Sequence, residues 1–394
     1  NMNTGEILHQ LLKDIGKRYN YEEPNIDFKA ICNNGANYTS VLYEATISAP
    51  DKEDLKLFAK VAALSENARS QLPISLYDTE RFVYTELFKN YAKIQNNNKL
   101  TEKDKLLWPE FYGCNANLYK ETIVLENLAA KGYTTYDRFK SIDWPYAAKA
   151  VESLAKFHAL SIAYGEENSE EYAKILENMK QNPAAMEHMK KSLETSVASA
   201  LAVTKEEYKE RLEKYIEGNF DIEKIVKYFQ PVERAVLTHG DYRPSNLMHK
   251  INNDGSMEVI PVDYQTILVG NPVLDLLYFI FTGSDEEFRC QYYEQLIEHY
   301  YIHLNSALHN LNLDPDKLYS KENFKYDLKE FLPFGLICSI FTLPIITINT
   351  EDAPKPQGED GLETIAINAV TKTSALYRER FNGIVNDYVR WGVI

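Results

Sequence analysis

The sequence predicts an α+β protein of two unequal lobes, a small β-rich one followed by a larger, mainly helical one. Three observations carry this. The first third holds three runs that are β-branched or alternate apolar with polar: FKAICNN, TSVLYEATIS and DLKLFAKVAAL. The turn signals NNGAN and APDKED separate them. Two more short runs, FYGCNAN and KETIVLEN, close this part at Leu128, and beyond it the apolar periodicity is mainly helical. A length of 394 residues fits about two to three domains, or two lobes sharing a cleft.

The elements follow in order. Near the N-terminus, Ile7, Leu8, Leu11, Leu12 and Ile15 fall on one face of an amphipathic helix. Glu6, Lys13 and Asp14 stand where a signal peptide needs an apolar core. Cys32, Cys114, Cys290 and Cys338 are scattered without CxxC pairing, which suits free thiols in a reducing compartment; the expected location is cytoplasmic. After the third strand, SLYDTERFVYTELFKNYAKI is a helix with Leu76, Phe82, Val83, Leu87 and Tyr91 at helical spacing. PYAAKAVESLAKFHALSIAY is a strongly periodic helix, and the charged stretch from Glu166 to Lys227 reads as solvated helices. The run from Phe331 to Ile348 is long enough to cross a bilayer. Pro333, Gly335 and Pro344 interrupt it and no basic flank orients it, so a buried core helix is expected, and no membrane partner.

Hydrophobic content of 44% and charged content of 26% are ordinary for a globular enzyme. A net charge of −15 argues against a nucleic-acid partner, which needs clustered cations. It leaves room for a nucleotide, which needs one or two well-placed cations and a metal. Nothing calls for an obligate protein partner.

The chemistry concentrates in LTHGDYRPSNLM, Leu237 to Met248. It places Asp241 and, five residues on, Asn246 in a loop before an apolar run. Asp254-Gly255 is the strongest hairpin signal in the chain. A two-residue turn there pairs Asn253 with Ser256 and Ile251 with Glu258, and sets Asn246 opposite Asp263. A carboxamide and a carboxylate side by side are hard oxygen ligands of the kind magnesium takes beside substrate phosphates. Asp241, ahead of the first strand of this hairpin, is placed to accept a hydroxyl proton. A positioned base and two metal ligands are what phosphoryl transfer requires.

A phosphate donor also needs a cation and a cradle. Lys60 near the end of the third strand is the candidate cation, and the next helix offers Glu80, with Glu86 as the second choice, to hold it. The cradle is NNGANYTS, Asn33 to Ser40, with Gly35, Asn37, Thr39 and Ser40 as candidate contacts through approachable backbone amides.

HGDYRPSN, then VDYQ, then NPVLDLLYF resemble the ecdysteroid-kinase-like family, relatives of choline kinases and aminoglycoside phosphotransferases known chiefly from insects. GANYTSVLYEATI, FAKV, TERFVYTEL, VLENLAAKGY and LAKFHALS extend the resemblance over most of the chain. It implies a two-lobed protein-kinase-like fold, with a nucleotide-binding lobe over residues 1–128 and a catalytic and acceptor lobe over 129–394. ATP and Mg2+ are the implied cofactors. Asp241 would be the base, Asn246 and Asp263 the metal ligands, and Lys60 with Glu80 the phosphate-positioning pair. Glu126, Asn127 and Leu128 would form the connector, with backbone groups meeting adenine. Asp275 would brace the catalytic loop, a role compatible with that of a first-turn carboxylate after an Asn271 cap and Pro272.

His239 reads as loop support, since Asp241 already fills the base role, and His158 as a satisfied core histidine. Arg243 either touches the transferred phosphate or packs at the cleft rim. Tyr264-Gln265 stands where protein kinases carry Phe-Gly, which points to a small-molecule kinase. The expected acceptor is an ecdysteroid or another bulky alcohol. Alternatives are a choline- or ethanolamine-like acceptor and a catalytically silent ligand-binding relative. Metal-dependent hydrolysis through His239, Asp241, His249 and Asp263 is geometrically poor, because His249 falls away from the Asp263 end of the hairpin.

Overall fold

The computed structural model describes residues 3–32, 39–72, 75–179, 183–230, 234–353 and 370–394, with side chains undescribed for 183–189 and 191. Gly35 and Asn37 lie outside these residues.

Helix α1 (Thr4–Arg18) starts from a capping box, Asn3 accepting from the Glu6 amide while the Glu6 carboxylate accepts from the Asn3 amide. Its apolar stripe of Ile7, Leu8, Leu11, Leu12 and Ile15 is buried, as its spacing predicts. The stripe covers one face of an antiparallel five-stranded sheet of order β1-β2-β3-β5-β4. These strands are β1 (Asn25–Ala30), β2 (Ser40–Ser48), β3 (Leu55–Ala62), β4 (Phe111–Asn115) and β5 (Thr122–Glu126). The first begins three residues before the sequence pattern suggests. Along β3, Leu57, Ala59 and Val61 face α1. Side chains alternate across a strand, so Lys60 faces the other way, toward the second lobe.

Against that second face lies α2 (Leu76–Phe82), which passes through a π-helical turn (Val83–Leu87) into α3 (Phe88–Asn97). Val83, Tyr84 and Leu87 from this turn join Ile123 and Leu125 of β5 in the main core of the molecule. That core continues through α4 (Trp144–Glu167) and the helices of the larger lobe. Four helices (Ser169–Asn178, Pro183–Val203, Glu206–Asn219, Ile222–Lys227) occupy the charged stretch.

Two small sheets then build the loop region. In one, β6 (Val236–Thr238) pairs with β9 (Leu268–Gly270). In the other, β7 (Leu247–Ile251) pairs with β8 (Met257–Pro261). Here the expected register is corrected by one residue: Ile251 pairs with Met257 and Lys250 with Glu258. The turn is a three-residue loop with a single left-handed residue, Gly255 at φ 84°, closed by Gly255 N to Asn252 O (2.9 Å) and Asn252 N to Ser256 O (2.8 Å). Asp254 Oδ1 accepts from the Ser256 amide at 2.9 Å, an Asx turn that favours this loop over the two-residue form. Asn246 therefore faces Val262, whose amide donates to Asn246 O at 2.8 Å. Asp263 lies one position beyond.

The C-terminal half packs α5 (Pro272–Gly283) and α6 (Glu286–Asn310) onto α4, with α7 (Pro333–Phe341) and α8 (Ala375–Arg390) outside them. The apolar run from Phe331 is buried core, as expected, but broken: α7 starts at Pro333 and a separate turn holds Pro344. Among the described residues no helix is long and apolar enough to cross a membrane.

Candidate active site

Lys60 is the meeting point of the two lobes. Its Nζ lies 2.8 Å from Glu80 Oε1 and 3.0 Å from Asp263 Oδ1. Glu80 is the glutamate that pairs; Glu86 is exposed. The other Glu80 oxygen accepts from the Tyr264 amide at 2.7 Å, so one carboxylate from α2 fixes both the lysine and the backbone beside Asp263. Asp263 adopts φ 62°, a left-handed conformation that takes its side chain out of the strand alternation and lets it reach Lys60 despite the shifted register.

Burial alone would drive all three groups toward neutrality, and their mutual attraction answers it. For Lys60 burial lowers the pKa, but Asp263 and Glu80 outweigh it and the ammonium is held above its usual range. For Asp263 burial raises the pKa, yet Lys60 overrides it and the carboxyl sits below the usual carboxylate range. Glu80 is raised by burial, with Lys60 pulling the other way.

The Asp241 loop is held from below. Gly240 has φ 83°, and a Cβ there would lie 2.1 Å from Thr266 O, so only glycine fits this turn. Asp275, buried on the first turn of α5, accepts from the His239 amide (2.8 Å) and the Gly240 amide (3.0 Å). His158 Nε2 completes that carboxylate at 2.8 Å, and its Nδ1 meets the Tyr300 hydroxyl at 2.6 Å. His158 is thus a satisfied core histidine whose partner is the carboxylate that holds the loop. His239 Nε2 donates to Val262 O (2.9 Å), which leaves Nδ1 to accept from the Asp241 amide (3.2 Å). Both ring nitrogens are spent on backbone, the arrangement of a support rather than a proton carrier.

Asp241 itself is held at both oxygens. Asn246 Nδ2 donates to Oδ2 at 3.0 Å, and the Tyr278 hydroxyl donates to Oδ1. Arg243 Nε is 3.1 Å from Oδ1, so the arginine leans on this carboxylate. Burial and the Asp241 charge push the Tyr278 phenol well above its ordinary pKa, which keeps it a donor. The Asn246 amide group is also committed to Asp241 O at 2.9 Å, which leaves its carbonyl oxygen as the atom available to a cation. Asp263 likewise has Oδ2 beyond the one given to Lys60. Two hard oxygens on adjacent chain segments suit magnesium, so the donor set fits the metal implied by the sequence.

Thr39 Oγ1 donates to Gln265 Oε1 at 3.1 Å, tying the end of the cradle to the Asp263 segment, and Ser40 is buried at the start of β2. In the connector, the Glu126 carboxylate accepts from the Glu110 amide at 2.9 Å and pairs with Lys131. The Asn127 amide donates to Lys56 O at 3.1 Å. Leu128 is buried with Tyr133 and Ile260, against Met248 and Val262. His249 packs against Tyr136 and Tyr146, away from Asp263, and does not join a metal cluster with the loop.

A cavity of about 350 Å³ opens on Asp241. Its described lining is nearly all apolar, including Leu76, Ile225, Phe229, Phe334, Ile337 and Cys338, and Asp241 is its one charged residue. Of the residues lining this cavity the sequence singles out only Asp241 for function, and Tyr278 goes unmarked. DLLY, with Tyr278 three residues after Asp275 on a helix, was the available signal.

A β3 lysine paired with a glutamate of the following helix, above an Asp-x4-Asn loop, defines a two-lobed protein-kinase-like fold. The model of the ecdysteroid kinase-like family matches residues 34–313, and the chain belongs to that family. Among solved structures it is similar to an aminoglycoside-3'-phosphotransferase of type VIII (15% identity, TM-score 0.36), covering 81% of this chain and 96% of that one. It is also similar to a glucosamine kinase (14% identity, TM-score 0.35), covering 84% of this chain and 77% of that one. No curated protein matches it.

Proposed function

We propose that this protein is an ATP- and magnesium-dependent small-molecule kinase whose acceptor is a bulky, largely apolar alcohol, an ecdysteroid or a molecule like it. Family membership supports the kinase class. The observation that carries the acceptor class is the apolar cavity of about 350 Å³ that ends on the Asp241 carboxylate. Its volume suits a drug-sized ligand. A choline-like acceptor fits less well, because no carboxylate other than Asp241 lines the described cavity to meet an ammonium group. A silent binding protein has no use for the paired Lys60, Glu80 and Asp263 or for a carboxylate held at both oxygens.

In this reading the lobes divide after Leu128, residues 1–128 receiving the nucleotide and 129–394 the acceptor. The acceptor hydroxyl gives its proton to Asp241 as its oxygen bonds to the γ-phosphorus, and the bond from that phosphorus to the ADP oxygen breaks. Tyr278 and Asn246 keep the Asp241 carboxylate aimed. Lys60, fixed by Glu80, meets the donor phosphates. Asn246 and Asp263 would hold magnesium, which when bound neutralises charge on the phosphates. The test is incubation with Mg-ATP and a pool of ecdysteroids, sterols, terpenoid alcohols, choline and aminoglycosides, read by mass spectrometry. Phosphorylation confined to choline or aminoglycosides would sink the apolar-acceptor reading.

A further inference from the structure

Away from the loop, on the outer side of the α4–α6 pair, three metal-type ligands converge. His299 and His303 are one turn apart on α6, with ring centroids 4.4 Å apart, and Glu152 reaches them from α4. Glu152 Oε2 is 3.5 Å from His299 Nε2, and Oε1 is 3.6 Å from His303 Nε2. The ligand atoms all lie within 4.8 Å of one another. A zinc ion with bonds of about 2.0–2.1 Å in a tetrahedron sets its ligand atoms about 3.3–3.4 Å apart, and the two observed His–Glu spacings lie within tenths of an ångström of that. His299 Nε2 is buried, and the Glu152 carboxylate 3.5 Å away is too poorly aligned to make a hydrogen bond with it. A histidine pair at i, i+4 presents both rings to one ion.

We propose that Glu152, His299 and His303 form a binding site for a divalent transition metal of the zinc class, which staples α4 to α6. Two imidazoles and one carboxylate favour zinc, nickel or copper over magnesium, so the ion needed for phosphoryl transfer does not compete. Partial exposure of the three side chains (17–33%) leaves the fourth position to water. Lys149, 3.5 Å from Glu152 Oε1, must swing outward, and it is half-exposed and free to do so. Lys156, the other nearby cation, is held away by donating to Lys103 O at 2.8 Å. The same two helices carry His158 and Tyr300, so the staple lies on the platform under Asp275.

The test uses the full chain stripped of metal, titrated with Zn2+ against a chromophoric chelator in excess Mg2+, with melting followed in parallel. The expected result is one equivalent bound and a rise in Tm. His303→Gln should weaken binding by about tenfold or more, as even outer-shell changes cost that much, and His299→Ala/His303→Ala should abolish it. Both variants should melt like the wild type without zinc, which separates lost binding from lost folding. Ni2+ should quench fluorescence from Trp144, whose ring centroid is 5.5 Å from that of His299, and this quench should be lost in His303→Gln. Zinc binding that survives in the double variant, or that Mg2+ displaces, would overturn the proposal.

Discussion

The Tyr278 hydroxyl donates to one oxygen of Asp241 while Asn246 Nδ2 donates to the other at 3.0 Å, so the candidate base has no freedom to rotate. Tyr278→Phe removes the first restraint and leaves the buried ring in place. A hydrogen bond to a charged group is worth about 1.5–3 kcal/mol, which corresponds to a kcat about 10- to 100-fold lower. KM for Mg-ATP should be unchanged, since Tyr278 faces the apolar cavity; steady-state kinetics with both substrates varied checks this.

Lys60→Met leaves Glu80 and Asp263 buried without a cation. Breaking a buried pair on one side costs about 3–5 kcal/mol, which denaturant unfolding would register. The pH dependence has a definite sign. Asp263 sits below its unfolded value in the wild type, so its stabilisation is present at neutral pH and is lost as pH falls through that lowered value. In the variant burial acts without Lys60 and moves the carboxyl upward, so Asp263 should no longer contribute to acid destabilisation, and the variant should lose less stability than the wild type as pH falls. An unchanged acid profile would mean that Lys60 does not set the Asp263 charge.

Asp275→Ala should loosen the loop rather than the lobes. It strands the His239 and Gly240 amides and the His158 ring, each bonded to it at 2.8–3.0 Å. An unsatisfied buried donor costs about 1–3 kcal/mol. Amide exchange should therefore accelerate first around residues 239–246, and uniform acceleration across α4 and α6 would argue against a local brace.

Cys338→Trp fills the apolar cavity from α7 without touching Asp241. KM for bulky acceptors should rise at least tenfold, the scale of one or two lost hydrophobic contacts, while Mg-ATP affinity holds. Equal loss for small and bulky alcohols would show that this cavity is not where the acceptor binds.

Much of this was legible in the sequence because it is local. The α1 stripe, the position of Lys60 in its strand and the Asp241-to-Asn246 interval are set by periods of a few residues, and each is where that period puts it. The hairpin register was off by one because the Asx bond from Asp254 adds a loop residue, which Asp-Gly alone does not announce. The Asn246–Asp263 relation therefore depends on a left-handed Asp263, a conformation rare enough for a non-glycine residue that no pattern suggests it. The apolar cavity was illegible for a different reason. Leu76, Ile225 with Phe229, and Phe334 come from three separate segments, and their apolar character is what any core residue would show.

The central claim is that Asp241 takes the proton of an acceptor alcohol. The most direct measurement compares wild type and Asp241→Asn under single turnover with γ-labelled Mg-ATP and an acceptor from the apolar pool, recording both nucleotide binding and labelled product. A positioned base contributes about 10²–10⁴-fold. The account predicts product formation slowed by that factor or more in the variant, with Mg-ATP binding retained. Product formed at the wild-type rate by Asp241→Asn would contradict it.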